Sequence, residues 1–324
     1  MDLTDQKILA ELDKNTRIPL KQIAKKIHAS QQMIDYRIKN LIKKEIIYSF
    51  ATIINPFSLG YNLYITNFSF EENISEDKDN LLTYLRDNHQ VFWAAIIGGT
   101  FDLMIITATK NFSEQEDFLD KLFKRFPNKF SDYEIFPIIE INHYSHKFFG
   151  ATDFSKYTIT EVEPVTISAT DYKILEELKN DSRQSMLSVG QKIGVDYHTV
   201  KNRIEKMTKK GVIMGYRMFL NPEKLKMNSY HVFLSLRKYS KSDEKMFLAY
   251  VAAHTNVVKS LKLIGGRWAY NLSVEIESRE KLQELLISLR KLFPIIDDIN
   301  TCPVFHNIEI DYLPISKKIT KEKN

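Results

Sequence analysis

Cysteine is nearly absent. Cys302 is the single one, so an internal disulfide and a cysteine-based zinc cluster are both excluded. Glycine and proline are scarce, 10 and 9 residues in a chain of 324, which rules out collagen-like and proline-rich architectures. Long apolar runs are missing too. Stretches such as Ala94-Ala95-Ile96-Ile97 fall far short of the ~18 residues that span a bilayer. The start, Met1-Asp2-Leu3-Thr4-Asp5, has neither a basic nor an apolar leader segment, so the expectation is a cytoplasmic protein with no membrane partner. No P-loop, GxGxxG, HExxH or GxSxG run occurs. His143 and His146 are an isolated pair among eight histidines, so no metal site is read. The sequence points to no cofactor and no catalytic residue.

What is present is an ordinary globular balance, 44% hydrophobic and 27% charged, with the charge unevenly placed. Residues 1–60 carry 10 Lys/Arg against 6 Asp/Glu, residues 61–150 carry 8 against 14, residues 168–227 carry 12 against 7, and residues 228–314 carry 11 against 10. A basic tail, 315–324, adds four Lys against one Glu. Basic segments separated by non-basic ones suggest two modules that bind a polyanion.

The chain repeats itself. Displaced by 166 positions, residues 4–60 fall on 170–226 with 18 identities in 57 positions, among them Asp5/Asp171, Arg17/Arg183, Arg37/Arg203, Lys43/Lys209 and Asn55/Asn221. With a slip of one residue the match continues: Ile97-Gly98-Gly99 falls on Ile264-Gly265-Gly266. A tandem duplication of a unit about 150 residues long explains this. The polar segment Gly150–Ile167, with Pro164 and no apolar period, reads as the linker between the copies.

Each copy opens with three short helices. Leu3, Ile8, Leu9 and Leu12 share a helical face, with Thr4 as the expected N-cap and Leu3 against Ile8 as a hydrophobic staple. A second helix is expected at Leu20–Ile27, then the turn His28-Ala29-Ser30, then a third helix from Gln31 to about Lys44 capped by Ser30. Copy 2 repeats this with Met186–Ile193, Gly194-Val195-Asp196 and Tyr197–Lys210, Asp196 taking the capping place. This is a helix-turn-helix pattern. A single basic helix is often just a solvated face, but the same arrangement twice favours DNA. The candidate DNA contacts are Gln31, Gln32, Tyr36, Arg37, Lys39, Lys43 and Lys44 in copy 1, and Tyr197, His198, Lys201, Asn202, Arg203, Lys206, Lys209 and Lys210 in copy 2. Polar side chains in the first turns suit base edges, and the cations suit phosphates.

Each copy closes with a β-α-β-β-α-β order. In copy 1 strands are expected at Asn62–Glu71, Val91–Ile97, Asp102–Ala108 and Tyr133–Ile141, with helices at about Ser75–Asn88 and Ser113–Phe126. In copy 2 strands are expected at Tyr230–Leu236, Val257–Ile264, Ala269–Ile276 and Pro303–Ile310, with helices at Ser242–Ala253 and Arg279–Leu292. Such an order packs helices on one face of an antiparallel sheet and leaves the other face apolar and uncovered, which marks a partner interface.

The ordered set Leu3-Thr4-Asp5-Gln6-Lys7-Ile8-Leu9, Asn15-Thr16-Arg17, Ile23-Ala24-Lys25-Lys26-Ile27, Arg37-Ile38 and Ile97-Gly98-Gly99-Thr100-Phe101-Asp102-Leu103, with its counterpart in copy 2, resembles the leucine-responsive regulator/AsnC (feast/famine) family. The resemblance implies an α+β fold: two repeats of a winged helix-turn-helix followed by a ferredoxin-like (βαββαβ) regulatory domain. The division it suggests is 1–55 and 56–149 for copy 1, a linker 150–167, 168–221 and 222–314 for copy 2, and the tail 315–324. It implies a transcription regulator with double-stranded DNA as partner. It further implies an amino-acid effector held near Gly98, Gly99, Thr100, Phe101 and Asp102, and association through the regulatory sheets, as an internal pseudo-dimer or between chains.

Three departures stand out. Glu45 replaces the family's glycine after the third helix, whereas copy 2 keeps Gly211, so a distorted turn is expected in copy 1. Lys226 stands where copy 1 has Gly60, and copy 2 has Ala269 in place of Asp102. Asp102 is equally readable as a β-turn cap. Siroheme decarboxylases resemble the regulators in plan and supply the alternative function, but their His-Asn-Tyr-x-Arg-type run is not found at Asn88–Trp93 or His254–Lys259.

Overall fold

A computed structural model describes residues 1–71, 74, 77–150, 156–179 and 181–308. Copy 1 comprises α1 (Leu3–Lys14), α2 (Leu20–Ile27), α3 (Gln31–Lys43), β1 (Ile47–Ile54), β2 (Asn62–Phe70), α4 (Lys78–Asp87), β3 (Val91–Ile97), β4 (Leu103–Thr109), α5 (Phe112–Arg125) and β5 (Phe130–Tyr144). A short strand, β6 (Lys156–Thr160), follows. Copy 2 comprises α6 (Ala169–Leu178), α7 (Met186–Ile193), α8 (Tyr197–Lys209), β7 (Ile213–Leu220), β8 (Asn228–Leu236), α9 (Lys241–Ala253), β9 (Val257–Leu263), β10 (Tyr270–Ile276), α10 (Arg279–Leu292) and β11 (Ile296–Ile308).

Short polar side chains start these helices. Ser30 accepts from the Met33 amide and Asp196 from the Thr199 amide, each satisfying an orphan donor of the first turn. Thr4 is not the cap of α1. Asp2 is, accepting from the Asp5 amide at 2.8 Å while Asp5 reaches back to the Asp2 amide at 3.3 Å. Aspartate is the stronger cap, and Leu3, 66% exposed, makes no staple. Ser168 and Asp171 form the same reciprocal pair at α6.

The two regulatory sheets are not separate. Strand neighbours run β2-β4-β3-β11-β8-β10-β9-β5 and back to β2, so the edges of one four-stranded sheet pair with the edges of the other. Closing the ring removes exposed strand edges. The strands that cross between sheets are longer than the sequence pattern indicated. Proline cannot donate to a ladder, which makes Pro303 look like a strand start. It sits instead where β11 leaves Tyr230 of β8, and Val304 begins the pairing with β3. Pro137 has the same place on β5, between β2 and β9.

The expected uncovered face is covered by the chain's own second copy. Leu63, Ile65, Trp93, Ile97, Met104, Ile106 and Phe136 pack against Phe233, Leu261, Leu263, Trp268 and Cys302 in one buried core. The inner faces and paired edges are therefore unavailable to a second chain. Outside the ring, α4 and α5 cover copy 1 through Leu81, Leu85, Phe118 and Leu122, and α9 and α10 cover copy 2 through Phe247, Val251, Leu285 and Leu289.

The segment expected to be a plain linker contains β6, which pairs with β5 from Glu140↔Thr160 to Tyr144↔Lys156. Its signal was the alternation Tyr157, Ile159 between polar neighbours. The Val165 amide is held by the Ser58 carbonyl at 2.7 Å. The basic tail 315–324 lies outside the described residues. Among the described residues no helix is long and apolar enough to cross a membrane.

Glu45 does not distort its turn. It adopts the left-handed conformation at φ 56°, as Gly211 does at φ 72°, and Lys226 at φ 58° matches Gly60 at φ 78°. Side chains in this region are strained where glycine is not.

Candidate nucleic-acid interface

The buried stripes Ile34, Ile38 and Leu41 on α3, and Val200, Ile204 and Met207 on α8, fix which way each third helix turns. Three residues separate α2 from α3 and α7 from α8, with His28 and Gly194 in the left-handed conformation closing the second helices. The remaining faces point outward. Gln31, Gln32, Tyr36, Lys39, Lys43 and Lys44 are exposed on the first head, as are Tyr197, His198, Lys201, Asn202, Lys206, Lys209 and Lys210 on the second. Lys39 is paired with Asp35 at 2.6 Å on the surface, an exposed pair of small energy that opposing phosphates can replace. The Tyr197 and His198 rings meet edge to face, 5.3 Å apart.

Arg37 and Arg203 are placed differently from the other candidates. Arg37 donates to Asp2 and Asp5 at 2.7 and 2.8 Å, tying α3 to the start of α1. Arg203 does the same through Ser168 and Asp171 at 2.8 and 3.1 Å. Both are only partly exposed. Their charge is committed inside each head, a role the basic pattern of the third helices did not reveal.

The heads are locked to each other. β1 and β7 form a two-stranded antiparallel sheet, Phe50↔Met218 through Ile53↔Gly215. Arg17 donates to the carbonyls of Ser182 and Gln184, and Arg183 to those of Thr16 and Ile18. Arg17 also lies over the Tyr216 ring, 5.2 Å from its centroid, and Arg183 over Phe50 at 5.4 Å. Both arginines and both rings are related by the 166-residue displacement, so the lock has pseudo-two-fold symmetry. Each head's core also borrows from the other copy: Met218 closes the first, and Ile54 and Leu59 the second.

The five residues of the Gly98–Asp102 turn lie at the joint between the sheets. The Gly98 amide donates to the Pro303 carbonyl at 2.9 Å, and a Cβ at Gly98 would lie 2.6 Å from a Phe305 ring carbon. Thr100 bonds Asn300 at 3.3 Å, and Phe101 is buried 6.4 Å from Phe233. Asp102 accepts from the Phe70 amide at 2.8 Å, a bond to the end of the neighbouring strand β2 and not the β-turn cap that competes with an effector role. In copy 2 Gly266 packs against Phe136, Arg267 pairs with Asp298, and Trp268 donates to Glu134 at 3.3 Å.

A family model for winged helix-turn-helix DNA-binding domains matches residues 1–48 and again 167–214. The chain is 30% identical over 125 residues to the HTH-type transcriptional regulator LrpA of Bacillus subtilis, a match covering 39% of this chain and 90% of that protein. It is 27% identical over 141 residues to the proline dehydrogenase transcriptional activator of Rhizobium radiobacter, covering 43% of this chain and 89% of the relative. Each relative is thus one copy long. Among solved structures, the siroheme decarboxylase NirDL superposes with a TM-score of 0.64 over 99% of this chain and 100% of its own, at 14% identity. That likeness is one of fold, which carries no reaction with it.

Proposed function

The chain belongs to the leucine-responsive regulator/AsnC family as two family units fused in tandem, and from that premise we propose that it is a sequence-specific DNA-binding transcription regulator whose reading heads form a fixed, unlike pair. The observation that carries this is the exposure of unlike polar residues on the basic third helices of two heads that reciprocal arginines clamp to each other. Gln31, Gln32 and Tyr36 read bases in the first head, and Tyr197, His198 and Asn202 in the second. The lysines of both helices hold phosphates. The heads address two half-sites about one helical turn apart, and these differ in sequence. Selection of bound sequences from a random DNA pool tests the reading. Enrichment of a bipartite, non-palindromic site is expected; no enrichment refutes sequence recognition.

A small effector such as an amino acid is assigned to the Gly98–Asp102 turn of copy 1, where occupancy would press on the joint between the sheets. Calorimetric titration with the common amino acids, on the wild type and Asp102→Ala, tests this. An unchanged titration in the variant would refute the assignment. The competing reading is a siroheme decarboxylase-like enzyme, suggested by the shared plan. An unperturbed siroheme spectrum on titration with the protein is expected for a regulator, and a shifted one would favour the enzyme.

A further inference from the structure

Inside the ring the two copies differ. Copy 1 presents mostly aliphatic side chains, but β10 of copy 2 presents Asn271, Ser273 and Glu275. Their alternate neighbours Tyr270, Leu272, Val274 and Ile276 pack beneath α9 and α10, which turns the polar three to the interior. Ser273 lies directly between His231 of β8 and Lys259 of β9, and Lys259 in turn faces His143 of β5. Trp93 of β3 closes this band, 5.1 Å from the His231 ring and 5.4 Å from the Lys259 ammonium. Three more buried charged residues lie beside the band: Lys147, just after β5, reaches the Val257 carbonyl, and Asp13 of α1 and Arg217 of β7 act electrostatically on Glu275.

Among the described residues the band's cations meet few hydrogen-bond acceptors. Both Asp13 oxygens are taken by His146, at 2.6 Å from its amide and 2.7 Å from Nδ1. Arg217, 6% exposed, makes among the described residues one long hydrogen-bond contact, 3.5 Å to His146 Nε2. Lys147 reaches the Val257 carbonyl at 3.2 Å. Lys259 rests over Trp93 and among the described residues has no hydrogen-bond acceptor. Asn271 Nδ2, Ser273 Oγ and one Glu275 oxygen are likewise buried without partners. Burial together with the neighbouring Arg217 charge lowers Lys259 to about 8, so the enclosure resists positive charge there; burial raises Glu275, which favours its neutral, protonated form. Unpaired buried cations and donors are costly unless something supplies acceptors.

We propose that the inner face of β8, β10, β9 and β5, closed by Trp93 and Arg217, binds a small dianion, a dicarboxylate or a phosphate-type oxyanion, on Lys259 and Arg217. The guanidinium presents a fork that suits two oxygens, the ammonium a point charge, and Asn271 and Ser273 further donors. Arg217 lies on the strand that pairs the heads and Asp13 on the first head's opening helix. On the regulator reading, filling the site therefore changes DNA affinity.

The test is calorimetric unfolding of the full chain, without DNA, at constant ionic strength in malonate, succinate, phosphate, sulfate or acetate. A ligand that binds only the folded state raises the midpoint in proportion to the logarithm of its concentration. A rise of several degrees is expected with one dianion class and not with acetate. Malonate or succinate acting alone identifies a carboxylate ligand, and phosphate or sulfate an inorganic or phosphoryl one. Lys259→Met should abolish the rise and, by removing an unpaired cation, raise the midpoint in anion-free buffer. Lys259→Gln and Arg217→Gln should also lose the rise, which keeps the test decisive if the methionine variant does not fold. An equal response to acetate and dianions, or a full rise in the Lys259 variants, overturns the proposal. Failure of DNA selection leaves this measurement untouched, so the two readings fail separately.

Discussion

Arg17 and Arg183 each hold the other copy's backbone: Arg17 reaches the Gln184 carbonyl at 3.2 Å, and Arg183 the Ile18 carbonyl at 3.4 Å. Hydrogen bonds from charged donors contribute about 1.5–3 kcal/mol each when buried, and these are partly buried. Replacing both arginines by methionine should cost about 2–4 kcal/mol in unfolding free energy. It should also relax the spacing between half-sites, because the heads lose their fixed relation. Binding to duplexes whose half-sites are moved apart one base pair at a time checks this. A spacing preference as sharp as the wild type's would show that the arginines do not set the register.

DNA affinity should fall steeply with salt. Each phosphate neutralised releases counterions and contributes about 0.9 to the slope of log affinity against log salt on duplex DNA. Lys39, Lys43 and Lys44 with Lys201, Lys206, Lys209 and Lys210 are exposed, so a slope of several units is expected by fluorescence anisotropy. A flat dependence would remove the electrostatic basis of the interface.

On the proposed reading, phosphate and base contacts separate by position on the helix. Lys209→Glu with Lys210→Glu, at the end of α8, should weaken binding to all sequences by tenfold or more. Gln32→Ala, in the first turn of α3, should instead alter which bases are preferred at its half-site, at about 1–3 kcal/mol of discrimination. Comparing sites selected by the two variants distinguishes them. An unchanged preference in Gln32→Ala assigns that side chain no reading role.

The left-handed post after each third helix offers a direct comparison. Glu45 at φ 56° and Gly211 at φ 72° occupy equivalent turns, and left-handed backbone costs a side chain roughly 1–2 kcal/mol. Part of the gain from glycine is lost to its freer unfolded chain. Glu45→Gly should therefore stabilise the protein by about 0.5–1 kcal/mol, and Gly211→Glu should destabilise it by a similar amount. The surface pair Glu45–Lys224, both largely exposed, offsets little of this. Chemical denaturation of the two variants measures both signs, and a destabilised Glu45→Gly variant would contradict the strain argument.

The helix positions of the heads were legible because helical period acts locally: Leu20–Ile27 and Met186–Ile193 end where the apolar pattern ends, although the α1 cap was placed on Thr4 where Asp2 serves. The ring was not legible, since edge pairing between β3 and β11 or β5 and β9 joins strands far apart in sequence with no local signature. β10 shows the limit most clearly. Asn271, Ser273 and Glu275 alternate with apolar residues, a pattern that ordinarily denotes a solvated face, yet here that face is enclosed by the other sheet. Arg17 and Arg183 stood out as repeated residues, but only the folded chain shows each bonding to the other's copy.

Asymmetry of the heads gives the sharpest test. In family members with one unit, two identical heads favour a palindrome by symmetry. Here the equivalent reading positions carry Gln31 and Tyr197, Gln32 and His198, and Tyr36 and Asn202, on helices of the same length with the same capping arrangement. The triple variant Tyr197→Gln, His198→Gln, Asn202→Tyr makes the two sets alike. It leaves the buried stripe Val200, Ile204 and Met207 and the arginine lock in place, so fold and half-site spacing should persist. The selected site should then change from two unlike half-sites to an approximate palindrome, with one half retained from the wild-type site. If the wild type already selects a palindrome, the internal pair of heads is not the DNA-reading unit. If the triple variant keeps two unlike halves, specificity in the second head resides outside residues 197, 198 and 202.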